Sequence, residues 1–162
     1  MKRILPILIA LLAFSPVSHS QTRYLVNTLS PVDGYEYRAY KSTSGGPKMK
    51  LTGGLDWTSG FTIGSSLAPY RPGHVTFRTG GEYAVLTFVL GRIYDPESFD
   101  NEPAVVTIYA DGRKIADEIV RKYDVPRRMR LDIAGANELK FMIVKGEDDI
   151  GFAEVALWKA GW

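Results

Sequence analysis

Apolar residues alternate with polar ones over short segments of this chain, and glycine, proline and aspartate separate the segments. The clearest case is the stretch Ala104 to Val144. It begins with the β-branched and aromatic run Val105 to Tyr109, and the pair Asp111-Gly112 that follows is a strong signal for a two-residue hairpin turn. We therefore predict a β-hairpin centred on this pair. Residues Ile115 to Lys122 fit either its return strand or a short helix.

A second hairpin is predicted directly after the first, because two alternating segments flank a turn-forming one, Ala134 to Asn137. The alternating apolar positions are Met129, Leu131 and Ile133 before this turn and Leu139, Phe141 and Ile143 after it. Burial at every second residue is typical of an antiparallel sheet with one solvated face. The stretch is thus predicted to form the middle of such a sheet.

Shorter strand signals cover the rest of the chain, and they share β-branched or aromatic residues bounded by turn formers. They lie at Tyr24 to Val26, Tyr35 to Tyr40, Met49 to Leu51, Phe61 to Ile63, Val75 to Phe77, Ala84 to Leu90 and Phe152 to Trp158. About ten short strands with almost no helical period predict an all-β fold, an antiparallel β-sandwich or jelly roll. The strand number also permits a closed barrel.

Three of these strands carry specific expectations. Tyr35 to Tyr40 is predicted as one strand whose tyrosines share a face and pack across neighbouring strands. Ala84 to Leu90 is a nearly continuous apolar run, which predicts a mid-sheet strand buried on both faces. In the last strand, strict alternation places Phe152 and Glu154 on one face and Val155 on the other.

The first twenty residues have the pattern of a secretory signal peptide. Lys2 and Arg3 form a positive start, Ile4 to Phe14 is apolar, and small residues precede Gln21. The apolar run is too short to span a bilayer, which takes about 20 residues. We therefore expect a secreted or periplasmic protein with no membrane span.

The remaining residues, 21–162, are predicted to form one domain, since a chain of this length can bury a sufficient core. The whole sequence has 20 Lys and Arg and 18 Asp and Glu, and removal of Lys2 and Arg3 leaves 18 of each sign. A balanced charge argues against nucleic acid as a partner. The absence of cysteine excludes disulfides and thiol chemistry.

Few residues could support catalysis. His74 is the one histidine after residue 20, so a histidine-rich metal site is excluded and an ordinary hydrogen-bonded role is expected. A small hydrolase that uses paired carboxylates remains an alternative, but no pair is singled out by the sequence. We expect a protein that is not an enzyme and has no cofactor. The acidic run Glu147 to Asp149 could hold a Ca²⁺ ion, and a solvated turn is the alternative.

Strand parity predicts where the loops lie, because alternate connections of an antiparallel sandwich emerge at opposite ends. The tight turns at Gly80-Gly81, Asp111-Gly112 and Ala134 to Asn137 fall at one end. The longer connections, Leu67 to Gly73, Gly91 to Pro103, Arg121 to Pro126 and Lys145 to Ile150, fall at the other. Long connections in compact domains are often functional.

The longer connections carry aromatic rings beside carboxylates and an arginine. The candidate carbohydrate contacts are Tyr70, Arg71, Tyr94, Asp95, Phe99, Tyr123 and Asp148. Ring faces can cover the apolar C–H patches of a sugar, and charged groups can bind its hydroxyls. The alternative is that the rings fill the end of the sandwich as additional core. Trp57 and Trp158 are predicted to pack in the core.

Three segments of the sequence resemble the NPCBM family of carbohydrate-binding modules. They are Arg78 to Gly91, Val106 to Arg113 and Leu131 to Leu139. The resemblance implies a galactose-binding-like jelly roll that recognises glycans without catalysis. Two features depart from the family pattern. Its glycine-to-histidine step before the Phe77 strand appears only loosely, as Gly60-Phe61 and, after a proline-rich loop, as Gly73-His74, and its acidic residues after the glycine are displaced to Asp95.

The resulting expectation is a secreted, non-catalytic carbohydrate-binding module that recognises glycans through loops at one end of its sandwich. The alternative is a protein-interaction or accessory domain in a bacterial-type envelope assembly, in which the same loops contact a protein partner.

Overall fold

The computed structural model describes residues 23–41, 45–64, 72–97, 101–146 and 149–160. Within these ranges the chain forms thirteen strands and one helical turn. In chain order they are β1 (Arg23–Tyr24), α1 (Leu25–Thr28), β2 (Pro31–Tyr35), β3 (Tyr37–Tyr40), β4 (Met49–Lys50), β5 (Asp56–Trp57), β6 (Gly60–Ile63), β7 (His74–Arg78), β8 (Val85–Arg92), β9 (Ala104–Ala110), β10 (Arg113–Val120), β11 (Arg127–Asp132), β12 (Glu138–Lys145) and β13 (Ile150–Trp158). The predicted signal peptide, residues 1–20, lies outside the described residues, and no helix within them has the length and apolar character of a membrane span.

Two antiparallel sheets pack face to face as a β-sandwich. One has the order β11-β8-β13-β6-β3, with β1 also paired to β13, and the other has the order β10-β9-β12-β7-β2. A separate two-stranded ribbon, β4-β5, completes the described strands. The predicted all-β sandwich is therefore confirmed, and two separate sheets replace the barrel alternative.

The core between the sheets is organised around five phenylalanine rings. Phe61 and Phe152 stack with their ring centroids 4.8 Å apart, and the ring of Phe141 meets both edge-on at 5.1 and 5.2 Å. Phe77 and Phe88 contact the edge of Phe141 from either side. All five side chains are buried, and burial of each contributes about 2 kcal/mol to stability. Strands of both sheets supply these rings, which holds the sheets together.

The first predicted hairpin is confirmed. β9 and β10 pair antiparallel on either side of Asp111-Gly112, so the segment that also fitted a helix is a strand. Asp111 adopts φ 49° and Gly112 φ 75°, the left-handed pair that this turn type requires. The apolar run in β8 is a mid-sheet strand as predicted, because β8 lies between β11 and β13.

The second predicted hairpin is wrong. β11 pairs with β8 in one sheet, whereas β12 lies between β9 and β7 in the other. The connection 133–137 therefore crosses from one sheet to the other, and two of its own residues, Ile133 and Ala136, are buried. Alternation reports which side chains face the core, and it does so equally for a hairpin and for a crossing between facing sheets.

The segment Tyr35 to Tyr40 is not one strand. The chain turns at Glu36, where φ is 54°, and passes from β2 in one sheet to β3 in the other. Tyr37 points into the core against Phe61, whereas Tyr40 is buried on the opposite side of its sheet. The tyrosines therefore do not share a face. Burial raises the pKa of the Tyr37 hydroxyl to about 12.

The last strand does not alternate strictly. Glu154 adopts φ 49°, and the pairing of β13 with β8 skips one residue between Ala153 and Ala156. This β-bulge moves Val155 to the same side as Phe152, so both are buried in the main core. The predicted grouping of Phe152 with Glu154 and Trp158 is wrong for that reason.

The first predicted strand is also shorter than expected. Only Arg23–Tyr24 pairs with β13, because the next residues form the helical turn α1, which buries Leu25 and Val26 in the core. Trp158 is half-buried outside both apolar clusters of the described residues, with its indole N–H donating to Thr87 Oγ1 at 2.9 Å. Its predicted core position is therefore wrong.

A second apolar cluster covers the outer face of the six-stranded sheet beneath the β4-β5 ribbon. Its buried members are Tyr40, Met49, Leu51, Val89 and Ala153, and Trp57 and Ile93 pack against it. The predicted packing of Trp57 is thus confirmed in this cluster. Gly151 leaves room for the ribbon, since a Cβ atom at this residue would lie 2.4 Å from the Leu51 side chain. The ribbon can therefore pack closely against the sheet.

The two ends of the sandwich carry different connections, as strand parity predicts. At one end, which we call the turn end, lie connections 79–84, 111–112 and 133–137; Thr79 N donates to Asn137 O at 2.8 Å. At the other, the loop end, lie the described residues of the longer connections, 64 and 72–73, 93–97 and 101–103, 121–126, and 146 and 149; Ile93 N donates to Asp149 O at 3.0 Å. For these residues the predicted separation of tight turns from longer loops is confirmed.

Candidate functional site

Three of the seven predicted site residues come together at the loop end. Tyr94, Asp95 and Tyr123 line one pocket of about 310 Å³, although Tyr123 lies on a different connection from the other two. Its lining is Thr52, Arg92, Ile93, Tyr94, Asp95, Pro96, Lys122 and Tyr123. The other four candidates, Tyr70, Arg71, Phe99 and Asp148, lie outside the described residues.

The β4-β5 ribbon contributes Thr52, on its turn, to the lining of the pocket and holds Tyr94 in place. Leu51 forms an isolated bridge to Ile93 just beyond β8, and Tyr94 N donates to Lys50 O at 2.8 Å. The backbone on both sides of Tyr94 is therefore tied to the ribbon. Its ring is 47% exposed, so it is open to a ligand.

Thr52 joins the ribbon to two other segments. Its backbone N–H donates to Arg92 O at 2.9 Å, while its hydroxyl lies 3.3 Å from both Arg92 O and Lys122 O. A threonine hydroxyl has one proton, which these two carbonyls share. Thr52 thus fixes the distance between the Tyr94 side and the Tyr123 side of the pocket.

The connection 121–126 presents Tyr123 on a tight turn. Asp124 N donates to Arg121 O at 3.2 Å, and the Asp124 side chain accepts from Arg121 N at 2.9 Å. This closed turn leaves Tyr123 80% exposed. An aromatic ring that is so exposed contributes little to the fold, which makes it available for binding.

Basic groups lie close to both tyrosine rings. Lys50 Nζ is 5.2 Å from the centroid of the Tyr94 ring, and Lys122 Nζ is 5.8 Å from that of Tyr123. These are cation–π distances. Asp95 is the one carboxylate that lines the pocket among the described residues, and its Oδ1 accepts from Glu97 N at 2.9 Å.

Arg92 supports the pocket from below. It ends β8, is only 1% exposed, and donates from Nη1 to Glu102 O at 3.0 Å. Because Glu102 lies just before β9, this bond spans the long connection between the two sheets. The side chain therefore orders the segment that carries Tyr94 and Asp95.

Sequence reasoning missed Lys50, Thr52, Arg92 and Lys122. The first two lie on or just after the predicted strand Met49 to Leu51, and no local pattern shows that the ribbon folds back on the sheet. One signal was available: Gly53-Gly54 followed by an apolar residue is a turn signal between two strand segments. Reading it as a hairpin would have placed Lys50 and Thr52 beside a turn.

His74 has the hydrogen-bonded role that was expected. Its Nδ1 lies 3.1 Å from Pro72 O and its Nε2 lies 3.0 Å from Asp33 Oδ2. The hydrogen bond to His74 holds the pKa of the Asp33 carboxyl below its usual value. No group of three or more Asp, Glu or His side chains within the described ranges is placed to hold a metal ion, and Glu147 and Asp148 fall outside those ranges.

A β-sandwich with a ligand-sized pocket among its longer loops has the architecture of a β-sandwich binding module, and solved structures share the fold. The M60 catalytic domain of Clostridium perfringens ZmpB with its CBM51-1 and CBM51-2 domains matches with a TM-score of 0.70 and 19% identity, over 88% of this chain and 16% of that one. The CBM51 module of C. perfringens GH95, solved with methyl-galactose, matches with a TM-score of 0.65 and 16% identity, over 85% and 99% of the two chains.

A third structure, the CBM51-2 and INT domains of ZmpB with GlcNAc, matches with a TM-score of 0.69 and 14% identity, over 88% of this chain and 32% of that one. This chain thus spans only a part of the two ZmpB structures. No curated protein matches the sequence. The NPCBM/NEW2 domain family matches residues 22–160, and the chain belongs to that family.

Proposed function

We propose that this protein is a secreted or periplasmic, non-catalytic module that binds glycans in the loop-end pocket. The observation that carries the proposal is the convergence of two exposed tyrosine rings and one carboxylate, Tyr94, Tyr123 and Asp95, from separate connections onto one pocket. Location outside the cytoplasm follows from the predicted signal peptide.

The chemistry of the pocket suits a sugar. A pyranose ring has apolar C–H patches that pack on an aromatic face, and hydroxyls that need donors and acceptors around the rim. Tyr94 and Tyr123 supply the faces. Asp95 supplies acceptors, and Thr52 and Lys122 supply further polar atoms. A pocket of about 310 Å³ has room for one or two sugar units at the end of a chain.

Family membership supports the same function. NPCBM/NEW2 is a family of carbohydrate-binding type, and two structures with the same fold were solved with methyl-galactose and with GlcNAc.

A protein partner is the second candidate function. Leu55, on the turn of the ribbon, is 66% exposed, and Val125, on the connection that carries Tyr123, is 80% exposed. Exposed apolar side chains beside a pocket are typical of surfaces that contact proteins. This candidate predicts that Val125→Ser weakens capture of an envelope protein without changing affinity for any glycan.

The test is a glycan-array screen of the chain without residues 1–20, with and without Ca²⁺, on the parent protein and on Tyr94→Ala. We expect binding to one class of glycan, weakened about tenfold or more by Tyr94→Ala because the stacking face is lost. Circular dichroism and the melting temperature verify that the variant is folded.

Tyr109→Ala is the matched control. Tyr109 is a half-buried tyrosine that lines a different groove, of about 220 Å³, near the turn end. Tyr109→Ala should therefore leave the affinity for glycans unchanged. The proposal is wrong if the parent protein binds no glycan, or if Tyr109→Ala removes binding while Tyr94→Ala does not.

A further inference from the structure

Resting on the proposed function, we further propose that the pocket selects acidic glycans, in which a carboxylate or sulfate on the sugar is bound by Lys50 together with Lys122.

Lys50 differs from most other lysines on the described surface. Lys48, Lys114, Lys145 and Lys159 each form an ion pair, for example Lys159 with Glu82 at 2.9 Å. Within the described residues no carboxylate lies within ion-pair distance of Lys50, whose ammonium instead lies over the Tyr94 ring. The positive charge beside the Tyr94 ring is thus not neutralised by this part of the chain.

A second ammonium reaches the pocket from another segment. Lys122 lines it and lies over Tyr123, so each candidate stacking ring has a lysine beside it. Asp95 is the one carboxylate among the described residues that line the pocket, and it already accepts a backbone hydrogen bond from Glu97 N, so part of its capacity is used within its own turn. This part of the chain therefore offers no carboxylate that pairs with Lys50 beside the Tyr94 ring.

The Lys50 ammonium can leave the Tyr94 ring when a carboxylate or sulfate of a sugar binds beside it. An exposed cation–π contact contributes only about 0.5–1 kcal/mol. A charge-assisted hydrogen bond to a carboxylate or sulfate is stronger than a bond between neutral groups. An acidic sugar can then stack on the tyrosine and accept from the displaced ammonium, whereas a neutral sugar gains the stacking alone. We therefore expect the pocket to distinguish acidic from neutral sugars by their charge and not by their shape.

Calorimetric titration of matched glycans tests this inference. The probes are one galactoside in three forms, neutral, sulfated and carrying a uronic carboxylate, each measured at about 20 and 200 mM salt. We expect either acidic form to bind about tenfold more tightly than the neutral form at low salt. The preference should shrink at high salt, because ions screen charges at an exposed site. Comparison of the two acidic forms shows which anion is preferred.

Lys50→Gln should reduce the preference to about threefold or less, and Lys50→Gln with Lys122→Gln should remove it; the preference is the ratio of the affinities for the acidic and the neutral form, both measured on the same variant. Lys50→Arg keeps the charge and should retain most of the preference. Lys159→Gln is the charge-matched control, since Lys159 also lies over a tyrosine ring, that of Tyr83 at 5.9 Å, but at the turn end and paired with Glu82.

The possible failures are distinct. Equal affinity for neutral and acidic forms, or an undiminished preference in the double lysine variant, overturns the acidic-glycan inference and leaves the proposed function standing. A loss of preference in Lys159→Gln as large as that in Lys50→Gln overturns the assignment to this pocket. Absence of binding to all three forms by the parent protein, together with an empty array, overturns both proposals.

Discussion

The turn end and the loop end of this sandwich are closed in different ways. At the turn end the backbone makes the contacts: Gly80 N donates to Asn137 O at 3.2 Å, Gly81 N to Ala136 O at 3.0 Å, and Asp111 N to Glu138 O at 3.0 Å. At the loop end, side chains also bridge separate segments: Thr52 Oγ1 lies 3.3 Å from Lys122 O, and Arg92 Nη1 donates to Glu102 O at 3.0 Å. The short connections of the turn end leave few side chains for other uses, whereas the longer connections of the loop end carry most of the residues that line the pocket.

Glycines show the same difference. Gly112 at the turn end has φ 75°, and a Cβ atom there would meet nothing within 4 Å. Gly73 at the loop end is needed for space, because its Cβ atom would lie 1.8 Å from the carbonyl oxygen of Gly64. Gly112 is thus required for its left-handed backbone conformation, and Gly73 because two backbone segments approach closely.

The largest expected effect therefore comes from one substitution made at both ends. Gly73→Ala must push the Gly64 backbone aside, and should lower the free energy of unfolding by about 3 kcal/mol or more. Gly112→Ala should cost only about 1 kcal/mol, the cost of a left-handed residue with a Cβ atom. Urea unfolding of the two variants measures the difference. Equal losses would mean that close packing of the loop end is not what Gly73 provides.

An intermediate effect is expected from Asp111→Ala at the turn end. The Asp111 carboxylate accepts from Asn137 N at 3.0 Å and from Glu138 N at 2.9 Å, so its removal leaves backbone donors without their partner. We expect a loss of about 2 kcal/mol in the free energy of unfolding. Asp111→Asn, which keeps one acceptor oxygen and tolerates the left-handed conformation, should lose less.

Glycan affinity is the second readout for Asp111→Ala, and it should change by less than about twofold, since the pocket lies at the opposite end. A decrease as large as that of Tyr94→Ala in a folded protein would show that the two ends are not independent.

The smallest expected effect concerns the dependence of stability on pH. Because His74 holds the pKa of Asp33 below its usual value, the folded state takes up a proton less readily than the unfolded state. The stabilisation by ionised Asp33 is thus present above the ordinary carboxyl pKa and is lost as the pH falls through the lowered one. Wild type should unfold at a higher urea concentration than Asp33→Asn at pH 7, and the difference should shrink as the pH falls through the lowered pKa of Asp33.

Asp33 is 65% exposed, so the effect is small. Glu82→Gln gives the corresponding measurement at the turn end, where Lys159 lowers the pKa of Glu82 through a hydrogen bond. Both variants should show the same direction of change with pH. A difference between wild type and Asp33→Asn that stays constant down to acidic pH would exclude the ionised carboxylate as its source.

Much of the fold was predictable because it depends on local patterns. Leu139, Phe141 and Ile143 alternate and are all buried in the core, and Asp111-Gly112 makes the turn that its sequence favours. Strand pairing was harder to predict from the sequence. The partner of β11 is decided by contacts with a distant strand of the facing sheet, about which the alternation within β11 carries no information.

Two glutamates explain most of the remaining errors. Glu36 turns the chain from one sheet to the other, and Glu154 forms the bulge that changes which residues of β13 face the core. Both have positive φ, a conformation expected of glycine or asparagine. Nothing in the residue type announces such a conformation, because the surrounding packing imposes it.

The site could be predicted only in part, because some of its residues come together through strand order and others through long-range packing. Parity alone brought Tyr94 and Tyr123 to one end, and the structure places them in one pocket. Lys50 and Thr52 were out of reach, since their position depends on the docking of the ribbon against Gly91 and Gly151 of the sheet. That contact joins residues far apart in the sequence.

The pairing of β1 with β13 also determines how the pocket is presented. Arg23 lies opposite Leu157, so the chain enters and leaves the sandwich side by side at the turn end. A segment attached before Arg23 or after Trp158 would hold the module by the turn end. The pocket, at the loop end, would then face away from the point of attachment. The direction of presentation is therefore the same for an N-terminal and for a C-terminal neighbour.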